Sequence, residues 1–284
     1  MEKIIDAHTH VGKEEFISKD VKEKLIKWPL FNYLWDNPTE SFSGVLKEKN
    51  ISKAIIFPIP ISSAWVDCYD GEDTRTANNY IIDAYNTNKE KFIPFGLIPE
   101  NPHDLEDLIK KGIQGFKEHS VGQRIHTIKD DNTAKMEDSY EVLNESGLPL
   151  LIHPAPIDKT LRIKKMFDKY PSLKIILAHC GHKYGNFLKE EEETIEVVEN
   201  LKGYKNLCFE TSNIQNSGLL DEIYSLVGDK MVFGSDYPFG QINRRTDEII
   251  DVYKKECETI NSMNISAEGK RGVFYKNISK ILKL

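Results

Sequence analysis

Short apolar runs alternate along this chain with longer stretches in which apolar residues recur every three or four positions. The runs occupy 3–8, 53–57, 92–98, 113–119, 148–153, 174–179, 206–211 and 231–236. Each has the length and composition of a buried strand. The helical pattern follows over 74–91, 104–111, 136–146, 159–169, 189–201, 218–227 and 246–259. Breakers punctuate the alternation. Gly147 is placed to end the helix before the fifth run, and Tyr170-Pro171-Ser172 to end the helix before the sixth. Strands alternating with helices imply a parallel sheet, and eight such units imply a closed (β/α)8 TIM barrel forming a single domain over 1–284. An open doubly wound sheet is the alternative, but no Gly-rich phosphate loop follows the first run. The one long insertion, at about 13–50 after the first strand, is rich in aromatics: Trp28-Pro29-Leu30-Phe31-Asn32-Tyr33-Leu34-Trp35. A second long connection runs from Pro58 through Trp65 to Asp70-Gly71. In a barrel, loops that follow strands build the active-site face, so these two are expected to wall or cover a pocket.

Composition narrows the class. Hydrophobic residues make up 39% of the 284 and charged residues 29%, as in an ordinary globular chain. The formal net charge of −7 argues against nucleic acid as a main partner. No run reaches the ~20 apolar residues of a membrane span, and the chain enters a strand without a signal-peptide pattern. Four widely spaced cysteines, Cys68, Cys180, Cys208 and Cys257, form no CxxC pair and read as reduced thiols. The expectation is a cytoplasmic protein with a small-molecule substrate and no membrane partner. The aromatic-rich insertion also offers a surface for homo-oligomer formation.

The chemistry concentrates at the ends of the runs. The first ends in Asp6-Ala7-His8-Thr9-His10, and side chains two apart on a strand share a face. By the same parity Lys117 and His119 share a face with Gly115, His153 with Leu151, His179 with Ile175 and Leu177, and Asp236 with Val232 and Gly234. A barrel gathers its strand ends into one ring, so His8, His10, His153, His179 and Asp236 converge. Imidazole nitrogen and carboxylate oxygen suit a divalent ion, zinc foremost, with manganese or a similar ion also admitted. Such an ion brings the pKa of a bound water to about 7, and a neighbouring carboxylate can accept its proton.

These motifs resemble the amidohydrolase superfamily, in particular the branch called amidohydrolase family 2, which holds metal-dependent hydrolases and decarboxylases. The resemblance rests on Asp6-Ala7-His8-Thr9-His10, Gly115-Phe116-Lys117-Glu118-His119, Leu151-Ile152-His153-Pro154, Leu177-Ala178-His179-Cys180-Gly181 and Phe233-Gly234-Ser235-Asp236-Tyr237-Pro238. The run Asn88-Lys89-Glu90-Lys91-Phe92-Ile93-Pro94-Phe95-Gly96 adds to it, so it covers nearly the whole chain. The resemblance implies that His8, His10 and Asp236 bind metal, with His153 as the next ligand. It implies that His179 binds a second metal or polarises the substrate, and that Asp236 moves the proton. Asp236 and His179 are therefore the expected catalytic residues. Lys117 and His119 are the expected substrate-binding residues.

A buried Lys117 must be paired, neutralised or modified. By parity with His8, Asp6 is expected to face the barrel interior and pair with it. The resemblance implies a free amine, although some members of the superfamily carry a carboxylated lysine between two metals. Glu210 could support a ligand. Arg75, Arg124, Arg244 and Arg245 are candidates to clamp a substrate carboxylate. His103, His126 and His182 read as solvated and Cys180 as core. The leading functional reading is hydrolysis of a small, carboxylate-bearing amide, lactone or ester. The alternative is a metal-dependent decarboxylase or other lyase of the same branch. A PHP-type phosphoesterase also begins with HxH but closes with a different motif. A barrel kept as a scaffold would have lost a ligand.

Overall fold

The computed structural model describes residues 3–13, 15, 36–59, 71–99, 101–119, 136–153, 159–181, 190–243 and 248–284. Eight parallel strands follow one another in sequence order: β1 (Ile5–Val11), β2 (Lys53–Pro58), β3 (Phe92–Leu97), β4 (Gly115–His119), β5 (Pro149–His153), β6 (Lys174–Leu177), β7 (Leu207–Glu210) and β8 (Met231–Val232). The last returns to the first: Ala7 N–H donates to Phe233 O at 3.0 Å and His10 N–H to Tyr237 O at 2.7 Å. This is the expected single-domain (β/α)8 barrel.

The helices between them are α1 (Thr39–Glu48), α2 (Gly71–Thr87), α3 (Pro102–Lys110), α4 (Glu137–Ser146), α5 (Lys159–Lys169), α6 (Glu190–Leu201) and α7 (Ser217–Val227). α8 (Val252–Ser262), α9 (Ala267–Arg271) and α10 (Asn277–Leu282) follow β8. Among the described residues, no helix is long and apolar enough to cross a membrane.

Strand alternation builds two cores. Ile55, Phe57, Ile93, Phe95, Leu151, Ile176, Cys208 and Val232 fill the barrel interior, which Ile278 of α10 also enters. Their neighbours Ala54, Ile56, Phe92, Phe116, Leu150, Ile152, Ile175, Leu177, Phe209, Met231 and Phe233 face the helices. The interior is packed tightly enough to dictate a glycine. A Cβ at Gly115 would lie 2.3 Å from Phe95 Cζ, so nothing larger fits without repacking.

Helix ends follow local chemistry. Gly147 closes α4 in the left-handed conformation (φ 66°). Asn216 caps α7 by accepting from the Gly218 and Leu219 amides. Several expected boundaries shift: the helix expected over 74–91 runs Gly71–Thr87, and the strand expected over 174–179 ends at Leu177. The helix expected over 246–259 starts at Val252, because Asp251 caps it by accepting from Lys254 N–H, and Glu248–Ile249 pair as a short strand with Ile242–Asn243. Regular pairing in the eighth strand stops at Val232, so Asp236 stands on the loop beyond it. Of the aromatic-rich insertion, Trp28 to Trp35 lies outside the described residues. Its later part forms α1, tied to β1 by backbone bonds between Gly12 and Asn37.

Candidate metal centre

Ile5 and Ala7 face the barrel interior, and regular alternation would carry Thr9 there next. The register with β2 shifts between Asp6 and Thr9, and that shift resets the phase. His8 and His10 enter the interior instead, with ring centroids 5.3 and 4.5 Å from the ring of Phe57. Asp6 therefore does not face inward. Its Oδ1 accepts from the amides of His8 and Ser235, each at 3.0 Å, and its Oδ2 from Ser235 Oγ at 2.5 Å. The expected Asp6–Lys117 pair is overturned: Asp6 sews β1 to the loop after β8. Burial, opposed by the Ser235 bond, raises its carboxyl to about 7.

Asp236 arrives from that loop in a left-handed conformation (φ 55°), ahead of a cis Tyr237–Pro238 bond. Its Oδ1 lies 3.3 Å from His8 Nε2 and 3.1 Å from His10 Nε2. Its Oδ2 accepts from Asn213 Nδ2 at 2.8 Å. All three side chains are almost wholly shielded from solvent. Burial holds His8 well below the usual imidazole range and lowers His10, so both are the neutral form that coordinates metal. Burial works to raise Asp236, but His8, the bond with His10, and His179 hold its carboxyl well below the usual range.

Glu210 on β7 orients the first histidine. Its Oε2 accepts from His8 Nδ1 at 2.7 Å, which leaves Nε2 facing Asp236. The same carboxylate takes the Ser212 amide at 2.5 Å, Ser212 Oγ at 2.8 Å and the His179 amide at 3.2 Å. Four donors on two oxygens require the ionised form, against a burial that raises the pKa. Gly234 makes room for it: a Cβ there would sit 2.1 Å from Glu210 Oε1.

His179 reaches the centre by a route that parity does not show. Ile175 and Leu177 face the helices, so an extended continuation would turn His179 outward. β6 ends at Leu177, and His179 (φ 55°) and Cys180 (φ 51°) adopt left-handed backbone, strained for L-residues. That turn brings His179 Nε2 to 3.2 Å from His153 Nδ1 and its ring centroid to 5.0 Å from that of His8. Ser212 Oγ holds its Nδ1 at 2.8 Å. Burial drops His179 to about 3, so it too is neutral. Cys180 joins the outer core as expected. His153 is half-buried, at the solvent side of the pair.

Lys117 Nζ stands 3.3 Å from His8 Nε2 and 5.0 Å over the Phe57 ring. Burial, opposed by Asp236 and Glu210, pulls it down to about 7. The backbone of His119 pairs with that of His153; its side chain lies outside the described residues, as do Arg124, Arg244, Arg245, His126, His182 and Cys68. Arg75 and His103 are exposed on α2 and α3.

Among the described residues, two buried groups of side chains have metal-binding composition: His8, His10 and Asp236, and His8, His179 and Glu210. In the second, the Glu210 oxygens are already committed to four donors. In the first, donor atoms of the resident side chains face one another. Donors held about 2.0–2.2 Å from a zinc-class ion lie roughly 2.8–3.6 Å apart at octahedral or tetrahedral angles. The observed 3.1 and 3.3 Å fit such an ion.

Sequence reasoning passed over Ser212 and Asn213, which contact the centre, and over Glu256 of α8 and Phe239, which pack beside it. Only the polar run Glu210-Thr211-Ser212-Asn213 at a strand end hinted at the first two.

The fold and the site together define a (β/α)8 protein with a histidine–carboxylate centre at the C-terminal ends of its strands. The chain belongs to amidohydrolase family 2 of the amidohydrolase superfamily: residues 67–284 match the family model, described as Amidohydrolase. His8 and His10 precede the matched segment. A curated relative, the gamma-resorcylate decarboxylase of Polaromonas sp. (strain JS666 / ATCC BAA-500), is 23% identical over 230 residues, 62% of this chain and 69% of its own length. A 2,6-dihydroxybenzoate decarboxylase from Rhizobium superposes with a TM-score of 0.74 at 14% identity, covering 100% of this chain and 99% of that one. A 5-carboxyvanillate decarboxylase from Novosphingobium aromaticivorans DSM 12444, complexed with manganese and 4-hydroxy-3-methoxy-5-nitrobenzoic acid, superposes with a TM-score of 0.72 at 19% identity, covering 99% and 96%. Hydrolase and hydratase structures share the fold as well, so fold alone does not choose the reaction.

Proposed function

We propose that this protein is a divalent-metal-dependent decarboxylase of a small hydroxylated aromatic carboxylic acid. The observation that carries the proposal is the convergence of His8 Nε2 and His10 Nε2 on one oxygen of Asp236, with aromatic rings against both histidines. Phe239, half-buried on the loop after β8, sets its ring edge-on to His10 at 4.9 Å. It offers an apolar edge beside the centre suited to a planar ring, while Phe57 backs the two histidines from the barrel core. The names of the relatives favour decarboxylation over the hydrolysis that the sequence put first.

His8, His10 and Asp236 would hold the ion, with His153 or His179 as a further ligand. The bound metal would supply positive charge to the substrate's phenolate and carboxylate oxygens. Manganese, present in a relative, is as well supported as zinc, because an N,N,O donor set admits both. Loss of carbon dioxide leaves the C–C electron pair on the ring carbon, and a proton must then be delivered to that carbon. Asp236, ionised, and His179, neutral, are the groups proposed to relay that proton from solvent to the ring carbon. Lys117 would attract the substrate carboxylate, and His119 is proposed as a second substrate-binding residue. The balance is one carboxylate and one proton consumed, with one arene C–H bond and one carbon dioxide formed. Hydrolysis remains the second reading, because the same donor set can ready a water and Asp236 can accept its proton.

The test is turnover of the Mn2+- and Zn2+-loaded protein on hydroxybenzoates and on carboxylate-bearing lactones, amides and esters in D2O. Decarboxylation releases carbon dioxide and places deuterium on the vacated ring carbon. Acid release without carbon dioxide would establish hydrolysis instead. On either substrate, Asp236→Asn should lower kcat by about 10²–10⁴.

A further inference from the structure

The carboxylate of Asp236 is held from two sides, and the second side belongs to a residue with no part in the proposed chemistry. Oδ1 faces His8 and His10, while Oδ2 accepts from Asn213 Nδ2 at 2.8 Å. A carboxylate at that distance requires the amide nitrogen, not its oxygen, to face Asp236. The same nitrogen lies 3.5 Å from His179 Nδ1, so the amide sits between the carboxylate and the second histidine.

Asn213 is itself locked. Its backbone is left-handed (φ 64°), a region that asparagine tolerates better than most L-residues. Its amide N–H donates at 3.1 Å to Oε1 of Glu256, a fully buried residue of α8. A helix on the outer wall of the barrel thus fixes a residue of the inner rim.

We propose that Asn213 is a positioning residue that selects which oxygen of Asp236 faces the metal centre, and that Glu256 holds Asn213 in the conformation that does so. The proposal rests on the metal reading given above. Without the amide, Asp236 is free to turn about its Cβ–Cγ bond and both oxygens compete for the ion. With it, Oδ1 is presented and Oδ2 is retained by a neutral donor. Glycine adopts the same backbone without strain, so Asn213→Gly removes the amide and little else.

The experiment titrates Mn2+ against a competing chelator for wild type, Asn213→Gly, Glu256→Ala and Glu256→Gln, with the thermal midpoint and the pH profile of kcat alongside. Removing a partner of a ligand typically lowers metal affinity 10–100-fold. Asn213→Gly should show a loss in that range and a displaced pH profile, at a thermal midpoint near that of wild type. Its kcat should fall with KM little changed. Glu256→Ala should weaken Mn2+ in the same direction, and Glu256→Gln, which keeps an acceptor oxygen, should lose far less. Wild-type Mn2+ affinity and pH profile in folded Asn213→Gly would overturn the inference and leave the metal reading standing. A wild-type protein that binds no Mn2+ or Zn2+ at this site would overturn both. Equal losses in Glu256→Gln and Glu256→Ala would refute the part assigned to Glu256.

Discussion

Replacing Glu210 by glutamine changes one atom and tests how the centre is organised. The carboxylate accepts His8 Nδ1, Ser212 Oγ and the His179 amide on Oε2, and the Ser212 amide on Oε1. Glutamine keeps one acceptor. In its better orientation the oxygen serves the three donors, and the NH2 group meets the Ser212 N–H, donor against donor. One buried hydrogen bond is lost outright and three lose the help of a full charge, which should destabilise the fold by ~1–3 kcal/mol. The effect on the metal is separate. His8 loses an ionised partner at Nδ1, and its Nε2 becomes both less basic and less fixed. Outer partners of this kind are worth about 10–100-fold in affinity, equivalent to ~1.4–2.7 kcal/mol. Urea denaturation of the metal-free protein measures the first effect, and Mn2+ titration followed by EPR of the free ion measures the second. Folded Glu210→Gln that binds Mn2+ as tightly as wild type would refute the account of His8 as a ligand oriented through Glu210.

Three further expectations follow from the same geometry. Gly234→Ala places a Cβ 2.1 Å from Glu210 Oε1; it should displace that carboxylate and weaken Mn2+ by at least ~10-fold, and an unaltered titration would contradict the packing. Lys117, at about 7 in the fold against 10.5 unperturbed, excludes a proton that the unfolded chain binds between those values. Stability of the metal-free protein should therefore be fully present above pH 10.5 and decline as pH falls towards 7, at up to ~1.4 kcal/mol per pH unit. Lys117→Met should flatten that slope in urea titrations, and parallel wild-type and variant curves would show that Lys117 is not the source. On the outer wall, Arg162 pairs with buried Glu118, and Tyr140 OH donates to Glu118 at 2.6 Å; Arg162→Met strands that carboxylate and should cost ~3–5 kcal/mol, more than Tyr140→Phe at ~1–2 kcal/mol. Equal urea midpoints for those two variants would refute the assignment.

The sequence by itself determined the barrel. Eight apolar runs with period-two alternation and the helices after them need only local pattern and short connections, and both are written along the chain. It also determined that His8, His10 and Asp236 come together, because a closed barrel gathers its strand ends whatever fills the loops. The tertiary structure decided what alternation cannot carry. One register shift in β1 sent His8 inward and Asp6 to the seam with Ser235, so parity counted along the strand gave Asp6 the wrong side and Lys117 the wrong partner. Left-handed backbone at His179 turned inward a side chain that alternation would have faced outward. The tasks of Glu210, Ser212, Asn213 and Glu256 depend on hydrogen bonds between β1, β6, β7, α8 and the loop after β8. A single side chain's period holds no record of such partners. Parity persists only while the backbone repeats, and at the strand ends, where the chemistry sits, it stops repeating.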